Sequence, residues 1–315
     1  MILERLARHD PRLYQIGALA SLLLYGMAFL GFDVSPARVA LLIGAALAVQ
    51  LACSRLFGLR SVEVRSALIS ALSLCLLLRT NSALLAAFAA FVTIASKFLL
   101  RWNGKHVFNP TNFGLVAMML LTDRVWVSPG QWGSAAFFAF SIAYAGILVV
   151  RRAARSDVTL AFIGFYALLV LARSLALGEP LAIPLHCLES GALLLFSFFM
   201  ISDPKTTPDS RAGRILFALL VAGGAAFVQF RLFRTNGLIW SLAALSLFVP
   251  VIDLVLRGRR YRWEAPTDGA LPFPKGVRHE AIPGCPAARA RVPASRPPRA
   301  PVLRVLRGEG GHEAL

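Results

Sequence analysis

Charge is scarce in this sequence, and negative charge is scarcer still. Only 16% of its 315 residues are Asp, Glu, Lys or Arg, with 33 basic residues against 16 acidic ones. A soluble domain carries roughly a quarter charged residues, so a water-soluble globule is excluded. Cysteine is limited to Cys53, Cys75, Cys187 and Cys285, without a CxxC pair or a Cys/His ligand spacing, which argues against a metal site. Strict apolar/polar alternation is missing from runs such as Leu41 to Ala52 and Ile215 to Val228, and that excludes a β-barrel. No recognition motif accompanies the net charge of +17, so the charge does not indicate nucleic acid.

What the sequence does have is apolar length. Hydrophobic residues make up 57% of the chain, and the mean hydropathy is +0.67. They fall in long runs separated by short basic loops, the pattern of an all-α polytopic membrane protein. The runs predict ten spans: 13–32, 38–56, 66–80, 82–100, 110–122, 134–150, 158–176, 184–201, 214–230 and 236–256. Most of the Lys and Arg then lie on one side, which places both termini in the cytoplasm of a plasma-membrane protein. Residues 1–12 form a charged cytoplasmic N-terminus, and the first span reads as a retained anchor rather than a signal peptide. The transmembrane domain covers 13–262. Residues 263–315, rich in Pro and Arg, predict a disordered basic tail that meets anionic lipid headgroups.

Two of the spans, 66–80 and 110–122, are too short to cross about 30 Å of hydrocarbon at ~1.5 Å per residue. Short or interrupted helices buried among others mark a midplane site in repeat-built membrane proteins, and ten spans allow two inverted sets of five. Polar, proline-broken knots follow two apolar stretches: His106-Val107-Phe108-Asn109-Pro110-Thr111-Asn112-Phe113-Gly114 and Ser202-Asp203-Pro204-Lys205-Thr206-Thr207-Pro208-Asp209. Irregular backbone at membrane depth is tolerated only where protein or a water-lined cavity covers it. The expectation is one polar cavity on the cytoplasmic side, shared by both knots.

Each polar residue also has a plainer reading. Asn109 is placed to cap the short helix that Pro110 opens, and the same helix start offers N–H groups to an anion. Asp203 reads as part of a knot locking two helix ends or as a contact for a cation or substrate. Lys97 and Arg101 share a helix face, and snorkelling to the interface accounts for both. Arg173 and Glu189 lie deep in apolar sequence and are expected to pair with each other, because an unpaired charge there is costly.

Lys97, the Phe108–Gly114 segment, His186-Cys187-Leu188-Glu189-Ser190-Gly191-Ala192, the run from Phe198 to Pro204 that leads to Gly213-Arg214, and Val249-Pro250-Val251-Ile252-Asp253 together resemble one family. It is the RnfD/NqrB family, whose members are the RnfD component of Rnf-type electron transport complexes and the NqrB component of the sodium-translocating NADH:quinone reductase. The resemblance covers most of 13–262. It implies an integral membrane subunit of an ion-coupled redox complex, working with other membrane and soluble redox subunits. On its own the chain would be at most a non-catalytic or flavin-carrying subunit.

Family members that carry covalent FMN hold it on a threonine in the outer segment between spans five and six. Here that segment is Asp123 to Gly133 and has no threonine, so covalent FMN is not expected. Non-covalent riboflavin or FMN stays open, with Lys97, Asn109, Thr111, Asn112, Asp203 and Thr206 as the candidate contacts. The competing reading is a transporter or channel for a small polar solute or natural product on the same scaffold.

Overall fold

The computed structural model describes residues 10–59, 61–127 and 156–261. Helices dominate, in the order α1 (Pro11–Phe29), α2 (Pro36–Leu56), α3 (Val64–Leu77), α4 (Ala83–Leu99), α5 (Pro110–Leu121), α6 (Ser156–Leu177), α7 (Ala182–Leu188), α8 (Gly191–Leu195), α9 (Arg211–Phe230), α10 (Gly237–Ser246) and α11 (Val249–Val255). The expected sixth span at 134–150, the segment 128–133 and the tail at 263–315 lie outside the described residues.

The helix starts follow from local chemistry. Asp10, Ser35, Ser82, Asn109 and Ser210 each accept a backbone N–H of the first turn, and Pro11, Pro36 and Pro110 open their helices where no partner for an N–H is needed. Among the described residues α2, α6 and α9 are long and apolar enough to cross a membrane, and the number is five where each of two bent pairs counts as one span. α3, α4 and α5 are apolar but shorter, at 14, 17 and 12 residues. Large apolar side chains such as Leu24, Phe29, Leu84, Leu120, Leu160 and Val255 face outward, while Leu74, Leu115, Met118, Phe162, Phe196 and Phe217 fill the interior. An apolar exterior of this extent belongs in lipid. The chain is a multi-pass membrane protein.

Two of the expected spans are broken within their length. Residues 184–201 do not form one helix: α7 ends at Leu188, α8 starts at Gly191, and Phe196–Met200 winds as a π-helix. The two arms meet at 42°. Residues 236–256 are likewise split, with α10 and α11 bent by 52° at Leu247–Phe248. There Pro250 lies at the start of α11 and removes an N–H from the continuing ladder.

Four short strands tie off the loose backbone. β1 (Leu78–Arg79), at the end of α3, pairs antiparallel with β4 (Trp126–Val127), shortly after α5. This ribbon gives both short helices a hydrogen-bonded exit. Buried Arg79 completes it by donating to the carbonyls of Cys75, Leu76 and Leu78. β2 (Arg101–Trp102) and β3 (Lys105–His106) form a hairpin. Its turn, Asn103-Gly104, has φ of 49° and 78°, as a two-residue hairpin turn with left-handed central residues requires. α4 packs on α2 and α5, α6 on α9, and α9 on α10, while α5 touches α10. Those contacts hold the starts of α5 and α9 in one body.

Candidate functional site

α4 carries Lys97 in its last turn, yet this side chain does not snorkel. It is only 5% exposed, and its Nζ donates to Gln50 Oε1 of α2 at 3.2 Å. The snorkelling reading therefore fails for Lys97, because Gln50 offers an acceptor inside the bundle. Arg101 behaves differently: it lies over the Phe98 ring at 5.6 Å and donates to the Lys97 carbonyl.

The hairpin after α4 turns the chain back and delivers the first knot. Asn109 Oδ1 caps α5 by accepting the N–H of Asn112 at 3.1 Å. Its Nδ2 reaches the carbonyl of Met200 at 3.3 Å, at the end of the π-helix. Asn112 is fully buried and donates from Nδ2 to the carbonyl of Ile239 on α10. The two amides thus bind the start of α5 to two later broken helices.

The second knot is built on Asp203. Its carboxylate accepts the Lys205 N–H at 3.0 Å, and its carbonyl accepts the hydroxyls of Thr206 and Thr207. A basic clasp closes the rear of both knots. Lys105 Nζ lies 3.0 Å from Asp209 and 2.7 Å from Asp253 of α11, and Asp253 also accepts the Asp209 N–H at 2.7 Å. Arg214 of α9 holds both oxygens of Asp157 at the start of α6 and donates to the Asp209 carbonyl.

Between the knots lies a cleft lined by Lys97, His106, Asn109, Thr111, Asp203 and Lys205, with Arg12 of α1 and Ser66, Ser70 and Ser73 of α3. Of the candidates, Lys97, Asn109, Thr111 and Asp203 converge on it, while Asn112 and Thr206 support it from behind. The serines and Gln50 are not among the residues that sequence reasoning selects. Ser66, Ser70 and Ser73 recur at helical spacing in an apolar run, and that polar stripe is the available signal. The cleft has about 70 Å³ of free space, room for two or so waters at ~30 Å³ each. Lys97 and Lys205 face it with Asp203, while the guanidinium of Arg12 is already paired with Asp10 and Glu63. Such a donor set suits a small anion or the carbonyl edge of a flavin, and the free volume admits that edge rather than three rings.

His106 adds an unmet hydrogen-bonding group to this lining, because its Nδ1 is buried without a partner. Burial, followed by the charges of Arg101, Lys205 and Lys97, pushes the imidazole down to about 3. It is therefore neutral in the fold at neutral pH. The unfolded imidazole titrates near pH 6.5, so its contribution is complete above that pH and is lost as pH falls toward 3. The melting temperature in detergent should drop between pH 6.5 and 4 more steeply for the native chain than for His106→Gln. Parallel curves would show that another group controls the acid limb.

Arg173 corrects another expectation. It pairs with Glu179 at 3.1 Å and lies 4.4 Å over the Phe230 ring, not against Glu189. Glu179 also accepts from Ser174 at 2.8 Å. The loop acid six residues away reaches the guanidinium across one turn, whereas Glu189 follows α7 and is exposed. Among the described residues no group of three His, Cys, Asp or Glu side chains can hold a metal ion.

Comparison with known proteins bears on what such a cleft serves. Residues 121–262 match the NQR2, RnfD, RnfE family. Over this stretch the chain is similar to the family. The second knot falls inside the matched stretch, and the Asn109 knot precedes it. Relatives include the RnfD component of the ion-translocating oxidoreductase complex from Psychromonas ingrahamii and from Vibrio vulnificus, both 29% identical over 133 residues. The same component from Escherichia coli O9:H4 is 31% identical over 133 residues. These matches cover 41–42% of this chain and 36% of each relative. The chain thus aligns with little more than a third of the length of these family members.

Proposed function

We propose that this chain is an integral membrane subunit of an Rnf- or Nqr-like, ion-translocating redox complex of the plasma membrane, with ten crossings and both termini cytoplasmic. The observation that carries the reading is the convergence of two proline-led knots on one lysine-bearing cleft, in a chain whose residues 121–262 match this family. The cleft formed by Lys97, Asn109, Thr111 and Asp203, backed by Asn112 and Thr206, meets the electron-rich edge of a ligand such as non-covalent riboflavin or FMN. Nucleotide-binding and iron–sulfur chemistry belong to partner subunits, since the sequence has no motif for either. The small free volume of the cleft also favours a second reading, passage of a small polar solute.

Affinity-tagged chain extracted in mild detergent from its own membranes should bring down partners with flavin or iron–sulfur absorption in the visible. Its own band on a denaturing gel should show no flavin fluorescence. Lys97→Met should leave the assembly intact and slow electron transfer about tenfold or more, the loss of one charge-assisted contact worth ~1.5–3 kcal/mol. A chain that purifies alone and colourless, and whose proteoliposomes take up a small solute, would overturn the redox reading in favour of transport.

A further inference from the structure

A second cavity lies where α9 ends and α10 begins, beside α6 and the π-helix, and encloses about 450 Å³. α9 starts beside the second knot and runs 20 residues to Phe230, about 30 Å at ~1.5 Å per residue. The cavity therefore belongs to the membrane face opposite the cleft. It reaches inward as far as Met200, a residue that lines both spaces.

Its chemistry differs from that of the cleft. Leu193, Phe196 and Met200 give it apolar walls, and the Tyr166 hydroxyl donates to Gln229 Oε1 at 2.8 Å on one side. Arg234 is the single charged residue among the described lining, next to Thr235 and Asn236. The volume is that of a site for an organic molecule, about 300–1,000 Å³. Apolar walls give water too few partners, and they gain dispersion contact only from an apolar body that fills the space. At this depth the bilayer supplies acyl chains, and a lone guanidinium at the rim selects a negative headgroup. We propose that this cavity binds an anionic phospholipid, with one acyl chain inside it and the phosphate on Arg234.

Native mass spectrometry of the full-length chain in a non-ionic detergent, titrated with phosphatidylglycerol or phosphatidylethanolamine, tests the assignment. The native chain should retain one phosphatidylglycerol about fivefold more tightly than phosphatidylethanolamine. Arg234→Gln should level the two, and Ala192→Trp, which fills the cavity, should remove that lipid. Should the tryptophan variant not fold, Cys187 on the cavity wall gives a second readout. With Cys53, Cys75 and Cys285 replaced by serine, phosphatidylglycerol should slow methanethiosulfonate labelling of Cys187. Equal retention of both lipids regardless of Arg234, a lipid that survives Ala192→Trp, or labelling unmoved by lipid would each overturn the proposal.

Discussion

Replacing Lys105 by methionine should destabilise the chain by about 3 kcal/mol, within the range for breaking a buried ion pair from one side. Lys105 stands between two carboxylates, Asp209 at 3.0 Å and Asp253 at 2.7 Å, and all three side chains are 11–19% exposed. Without the ammonium, two like charges face each other in a site with little water, and the methionine stem returns only packing. The clasp joins the hairpin, the second knot and α11, so its loss should loosen three elements together rather than fray one end. Lys105→Met paired with Asp253→Asn should recover part of the loss, because the amide oxygen still accepts the Asp209 N–H while the repulsion is gone. Thermal unfolding in detergent of both variants beside the native chain checks this. A double variant no more stable than the single one would remove charge repulsion as the cause.

Much of this arrangement is legible in the sequence because it depends on local rules. The starts of α1, α2 and α5 follow Asp10-Pro11, Ser35-Pro36 and Asn109-Pro110, where cap and proline stand side by side and little else fits. The apolar runs mark most of the remaining helices to within a few residues. The partners that cross the fold are not legible. Nothing in the sequence near Lys97 indicates Gln50, which lies 47 residues earlier and meets it only because α2 packs on α4. Tyr166 and Gln229, or Lys105 and Asp253, are equally remote in sequence.

The two bent spans escape the sequence for a different reason. Hydropathy averages over a window, and Leu188-Glu189-Ser190-Gly191 has too few polar residues to lower it. Arg173 points to the wrong acid when depth in apolar sequence is weighed above reach. Glu179 is outside the run but close enough for the side chain to bend to it. The hairpin at Asn103-Gly104 does leave a dipeptide signal, one that the apolar runs on either side overshadow.

Gly114→Ala should be among the most damaging single-methyl additions to this chain, with a cost near the upper end of ~1–3 kcal/mol for overpacking. A Cβ at Gly114 would fall 1.8 Å from Thr93 Oγ1 and 3.0 Å from Thr93 Cβ, with the Thr93 Cα at 3.2 Å. α4 and α5 therefore meet at this point with no room for a methyl group. Thr93 is one turn before Lys97 on α4, and Gly114 is in the second turn of α5 after Asn109, so any shift that relieves the clash moves two walls of the cleft. The damage should appear in ligand or partner binding as well as in stability. Thr93→Ala alone should cost little, since the hydroxyl it removes is buried without a hydrogen-bond partner. Combined with Gly114→Ala it should restore about 1–2 kcal/mol, the coupling expected of residues in direct contact, and not all, because the Thr93 backbone remains close. A complete double-mutant cycle of unfolding free energies measures that coupling. Strictly additive losses would mean that α5 moves away from α4 as a unit and that the close crossing does not fix the cleft.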